Sequence, residues 1–122
     1  MQIERLPQLK FLKDQIHFVL DGSKTLEPRP RSQRWIEKMF ESDKIELTWG
    51  ARFAPPRVFA VARLEKIEVR PFETTTVNDL KRISRGWEDK TVEEFVRVHN
   101  EWYAKELAKG YPVVWIYFSI PF

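Results

Sequence analysis

The sequence predicts an α+β fold with mostly antiparallel strand pairing, in a single domain spanning residues 1–122. Three observations lead there. Segments that alternate apolar and polar residues follow one another through the middle of the chain with no helical crossover between them, which favours antiparallel neighbours. Segments with apolar residues three and four apart flank them and read as helices. With 122 residues, 43% apolar content and five tryptophans, the chain is long enough to bury one real core and too apolar for a disordered tail.

Gln8 to Leu12 reads as a short first strand. Lys13 to Leu20 reads as a helix, with Ile16, Val19 and Leu20 on one side, and Asp21-Gly22 stops it because glycine readily takes the left-handed conformation after a helix. Pro28 and Pro30 keep the next segment out of a helix and out of a central strand, so an extended edge is expected. Ser32 to Ser42 turns helical again, capped by Ser32, with Trp35, Ile36, Met39 and Phe40 as its apolar stripe. That helix would serve as a lid or as core, and core is the reading adopted. Lys44 to Trp49 alternates, with Ile45, Leu47 and Trp49 on one face. After the stiff Ala54-Pro55-Pro56 connector, Arg57 to Phe72 is the longest strand candidate, and a slip in its pattern at Glu65–Lys66 predicts a bulge. Thr76 caps a short helix through Ile83. Thr91-Val92-Glu93-Glu94 has the form of a capping box opening a longer helix to about Leu107, with Val92, Phe95, Trp102 and Leu107 facing inward. Gly110 closes that helix, and Val113 to Ser119 is the last strand.

Composition narrows the function classes. The absence of cysteine excludes a disulfide framework, an iron–sulfur cluster and thiol chemistry. The longest apolar run, Val113 to Phe118, is too short to cross a bilayer, and the N-terminal residues carry an acid and a proline where a signal peptide needs an apolar run. A soluble cytoplasmic protein with no membrane partner is expected. The histidines, His17 and His99, fall on different helices. Asp14, His17 and Asp21 share one helix face, which reads as a solvated edge, so neither a metal nor a cofactor is expected. A net charge of +3 says little by itself, but the distribution says more. Lys24, Arg29, Arg31 and Arg34 face one acid, Glu27, and Arg52, Arg57, Arg63 and Arg70 lie in or beside strands. Arginine suits bidentate contact with phosphate, and basic residues among aromatics mark nucleic-acid sites. From charge alone, a surface laced with ion pairs is the favoured reading.

The segment Gly22-Ser23-Lys24-Thr25-Leu26-Glu27-Pro28-Arg29 concentrates the chemistry. Strand alternation puts Thr25, Glu27 and Arg29 on one face, which Lys24 joins if it sits in the turn before the strand. Beside a cleft, Glu27 would take a proton, Lys24 would steady an oxyanion or act as an amine nucleophile, and Arg29 would hold a phosphate or carbonyl oxygen. On an open edge the same residues form an ordinary ion-pair strip of little energetic worth. Trp35, Trp102 and Trp115 fit core positions. Trp49 and Trp87 fall near strand ends or loops, where a ring can stack on a base.

The pattern Gly22-x-Lys24-x-x-Glu27-x-Arg29 resembles the signature of the ASCH domain, a relative of the PUA-type RNA-binding barrels. The order of elements resembles that family from about Leu9 to Phe122. The resemblance implies a small β-barrel flanked by helices, with the motif lining a cleft for RNA or a nucleotide. Lys24, Glu27 and Glu88 are then the implied catalytic set, and Thr25, Arg29, Arg31, Arg34 and Trp87 the implied anion and nucleic-acid contacts. In the amidohydrolase branch, which acts on acylated cytidine, the motif lysine is catalytic, with a threonine three residues on and a distant glutamate. Lys24 fits that pattern and Glu88 matches the distant glutamate, but Glu27 stands where that branch has threonine. Binding of RNA or a nucleotide is the leading expectation. Hydrolysis of an acylated nucleoside or of RNA is the alternative, and a protein-interaction module the third.

Overall fold

In the computed structural model the chain runs β1 (Gln8–Phe11), α1 (Ile16–Leu20), β2 (Leu26–Pro30), α2 (Gln33–Phe40), β3 (Lys44–Trp49), β4 (Arg57–Val69), α3 (Val77–Ile83), α4 (Val92–Trp102), α5 (Ala104–Ala108) and β5 (Val113–Ser119). Single 3-10 turns occupy Lys13–Gln15, Phe72–Thr74 and Trp87–Asp89. The structure describes residues 6–50, 54–84 and 86–120. Arg52 and the end of the chain at Phe122, both part of the sequence expectations, lie outside them.

The strands form one curled, half-barrel sheet in the order β1-β3-β4-β5-β2, with β1 and β2 at its two edges. β1 runs parallel to β3, and the other three pairings are antiparallel. The uninterrupted apolar run of β5 has a direct cause: both of its faces are covered. Val114, Ile116 and Phe118 join Leu9, Phe11, Val19, Ile36, Met39, Ile45 and Leu47 in one core cluster. Val113, Trp115 and Tyr117 join Leu26, Phe72, Leu80, Ile83 and Phe95 in a second. The chain therefore has a helical layer on each side of β5, α1 and α2 supplying the first cluster and α3 and α4 the second.

Local rules account for most boundaries. Gly22 adopts φ +83° and Gly110 φ +82°, the left-handed conformation expected after each helix. Ser32 Oγ accepts from Trp35 N–H, and Thr76 and Asp79 cap α3 reciprocally. The expected bulge is present, as a register shift between Leu64 and Lys66 opposite β5. A second shift, between Leu47 and Thr48, interrupts the alternation of β3: Thr48 is buried and Trp49 is only half-buried. Three expectations need correction. The helix after Thr91 breaks at Tyr103 into α4 and α5 rather than running through to Leu107. Trp102, expected inside, is 61% exposed, and Leu20 and Phe40 also face outward. Ile36 and Met39 of α2 are core, as expected.

Candidate functional site

Phe118 N–H donates to Thr25 O and Arg31 N–H to Pro112 O, so the odd-numbered residues of this segment turn their backbone groups toward β5. Leu26, Pro28 and Pro30 turn theirs to the open edge. Proline there offers no N–H, and cationic side chains meet the carbonyls. Lys24 Nζ donates to Leu26 O at 3.3 Å and Arg31 Nη1 to Pro30 O at 2.9 Å. Arg29 Nη2 reaches across the seam to Lys10 O on β1. Prolines and cations thus close this edge to a further strand, while Arg29 ties the two edges of the half-barrel together.

Lys24 sits in the turn before β2 and is 1% exposed. Among the described residues its ammonium meets Leu26 O, Ile83 O at 3.1 Å and Glu27 Oε1 at 3.6 Å. Ile83 ends α3, so the lysine places its charge at the negative end of that helix. Thr25 N–H adds a bond to Arg82 O, and Arg82 Nε donates to Thr25 Oγ1. Just beyond, Ser84 adopts φ 61°, ψ −152°, a region ordinarily left to glycine, so the backbone is strained where α3 meets the site. On the other side Arg29 Nη2 donates to Glu27 Oε2 at 3.2 Å, and its guanidinium lies over the Phe11 ring at 5.4 Å. The buried Nε of Arg29 has no hydrogen-bond partner. Burial alone would push the Glu27 carboxyl up, but Lys24 and then Arg29 outweigh it and hold Glu27 below the usual carboxylate range. Glu27 is therefore an ionised acceptor at neutral pH and a weak base.

This cluster forms part of the wall of a cleft of about 500 Å³. Phe11, Trp87, His99, Trp102 and Tyr103 provide its aromatic surface, and Lys10 stands at its β1 side. His99, Trp102 and Tyr103 come from the last turn of α4 and the break after it, a spacing of three and four that places them together. The Tyr103 hydroxyl is pushed up by burial, with Arg29 opposing. The cleft thus combines aromatic rings with three cations, Lys10, Lys24 and Arg29, and one anion, Glu27.

The structure brings Lys24, Glu27, Arg29 and Trp87 together at this cleft. Four other expected site residues stand outside it. Thr25 is bound to Arg82. Arg31 caps Pro30 and lies over Trp35 at 5.2 Å. Arg34 is exposed on α2, which lines no part of the cleft. Glu88 is exposed, and its carboxylate accepts from Gly86 N–H at 3.1 Å within its own turn. Sequence reasoning passed over Phe11, His99, Trp102 and Tyr103 as site residues. The α4 trio carried a signal in its spacing, but a stripe of that kind reads as core. Among the described residues no group of three His, Asp or Glu side chains is placed to hold a metal ion.

No protein-family model matches the sequence, nor does any curated protein. Solved structures do match its fold. An ASCH domain from Lactobacillus crispatus superposes with a TM-score of 0.58 at 11% identity, over 94% of this chain and 79% of that one. The fold is ASCH-like. The hypothetical protein PH0355 shares it with a TM-score of 0.69 and 18% identity, over 96% of this chain and all of the other. A Pyrococcus furiosus protein solved by NMR gives 0.62 and 17%, over 95% and 97%. At these identities the comparison carries the ASCH-like fold and says nothing of a ligand.

Proposed function

We propose that this ASCH-like chain binds a nucleotide, free or as an unpaired residue of RNA, in the cleft between Arg29 and α4. The observation that carries the reading is the pairing of an aromatic wall with a buried Lys24–Glu27–Arg29 cluster across a space of nucleotide size. Bases stack on aromatic rings regardless of sequence, and Trp102 and Trp87 offer such rings at the mouth. Arg29 and Lys10 supply positive charge for a phosphate, and the ionised Glu27 accepts from an amino or hydroxyl group. Titration with short single-stranded oligoribonucleotides and with the four nucleoside monophosphates tests the reading. Oligonucleotide affinity is expected to fall steeply with salt, and Arg29→Gln to flatten that slope. Salt-independent binding, or none to any of these ligands, contradicts it.

A second reading, hydrolysis of an acylated nucleoside or of RNA, is favoured by the 3.6 Å contact of buried Lys24 with Glu27. Lys24 would then steady the developing oxyanion. Glu27, held below the usual carboxylate range, is poorly matched to removing a proton at neutral pH, which is why binding ranks first. Mass spectrometry of modified nucleosides and short RNAs after incubation separates the two. Turnover that survives Lys24→Ala would remove the enzymatic reading of this site.

A further inference from the structure

A second, smaller hollow of about 240 Å³ adjoins the cleft, lined by Gly86, Trp87, Lys90, Glu94 and Trp102. Trp87 and Trp102 line the cleft as well, so a strand that leaves the cleft along these indoles enters the hollow. The two rings stand edge to face, 6.3 Å between centroids, and Trp87 is anchored on the buried Phe95, edge to face at 5.1 Å. Trp102 is the open one of the pair. A lone exposed tryptophan needs no explanation, but one that lines two adjoining spaces offers a stacking surface to each.

Charge follows the same course. Lys90, exposed, ends the Trp87–Asp89 turn, and its N–H donates to Trp87 O at 3.0 Å. Glu94, half-buried, lies in the first turn of α4, where its N–H donates to Thr91 Oγ1 at 3.1 Å. Both backbones are therefore fixed beside the indoles. A lysine ammonium meets a phosphate as a point charge. A carboxylate repels phosphate and accepts from an amino or hydroxyl group.

We infer that this hollow is a second subsite, taking the neighbouring nucleotide of a single-stranded RNA. Its base stacks on Trp102, Lys90 contacts the phosphate that links it to the nucleotide in the cleft, and Glu94 accepts from its base or sugar. This rests on the nucleotide reading of the cleft and deepens it, because the ligand becomes a strand rather than a free nucleotide.

Calorimetric titration with oligoribonucleotides of one, two and four residues, in each of the four bases, is the experiment. Wild type is expected to bind the dinucleotide about tenfold more tightly than the monophosphate of the same base, the worth of one more stacked base. Lys90→Gln should lose about threefold toward two and four residues and nothing toward the monophosphates, at an unchanged melting temperature. Its salt slope for the tetranucleotide should fall by about 0.7, one phosphate contact on a single strand. Lys38→Gln, exposed on α2 away from both spaces, should bind every length as wild type does. Equal wild-type affinity for one and two residues overturns the inference and leaves the nucleotide reading standing. So does a Lys90→Gln protein that binds every length like wild type, or that loses as much toward one residue as toward two. Equal losses in Lys90→Gln and Lys38→Gln reduce the effect to general surface charge and overturn it as well. A wild type that binds no length of any base removes both.

Discussion

Two clusters of arginine and carboxylate in this molecule use the same chemistry toward different ends. Arg70, just past β4, spends all three guanidinium nitrogens on protein. Nη1 donates to Thr74 O and Oγ1, Nη2 to Tyr117 OH and to Asp79 Oδ2 at 3.1 Å, and Nε pairs with Glu68 at 3.4 Å. Its face lies over Trp115 at 3.7 Å. It pins α3 and the Phe72–Thr74 turn to the sheet. The Lys24–Glu27–Arg29 cluster also pins elements together, yet it opens on a cleft and leaves the buried Arg29 Nε without a partner. Charge composition does not separate the two clusters. What separates them is the space each faces and whether its donors are spent.

Removing Arg70 should produce the largest effect on folding. Arg70→Ala leaves the buried Asp79 without its ion pair and uncovers Trp115, so a loss of about 3 kcal/mol in urea denaturation is expected. Nucleotide affinity of the folded fraction should not change. A small stability loss would mean that the network is ornamental and that the contrast between the clusters fails.

Trp102→Ala should show the reverse pattern. At 61% exposure the ring contributes little to the core, but as a stacking surface its loss should weaken nucleotide binding by about 1–3 kcal/mol. An unchanged affinity would move the ligand away from α4.

Acid stability probes the cleft cluster itself. Burial raises the Glu27 carboxyl in the folded chain, but Lys24 and Arg29 outweigh it and hold it below the ordinary glutamate value of about 4.5. The stability it contributes is therefore complete above that value and is lost as pH falls through the lower folded one. Glu27→Gln should flatten the acid limb of stability against pH below about 4.5. A limb as steep as that of wild type would assign it to other carboxylates, among them Glu68, whose pKa is lowered first by the Tyr117 hydrogen bond. The smallest effect is expected at Glu88. Glu88→Gln keeps the capping oxygen, so both stability, within about 0.5 kcal/mol, and ligand binding should match wild type.

The pattern of successes and corrections has physical causes. Helix stops at glycine, caps at Ser32 and Thr76, the bulge near Glu65 and the limits of β5 were all legible, because each is set by local sterics or hydrogen bonding. Lys24, Glu27 and Arg29 were legible as a cluster for the same reason: they lie within six residues, in an edge strand and the turn before it. Long-range placement was not. Nothing local says that Lys24 would end against Ile83 O or that Arg29 would reach Lys10 O. Trp102 shows the limit most clearly: helical spacing puts it on the stripe with Phe95, yet it stands exposed at the cleft. Glu88 was aligned through a loop, where one turn is enough to point a carboxylate outward.

The indole N–H signals of the five tryptophans offer the most direct test of the central claim, that the cleft beside Arg29 and α4 takes a nucleotide. In a 1H–15N correlation titration with the four monophosphates, Trp87 and Trp102 should shift together with the amides of Glu27 and Arg29. Trp115, whose Nε1–H is bonded to Arg70 O at 2.9 Å, should stay in place. Shifts confined to the exposed β4 face around Arg57 and Arg63, or no shifts with any of the four, would contradict the account.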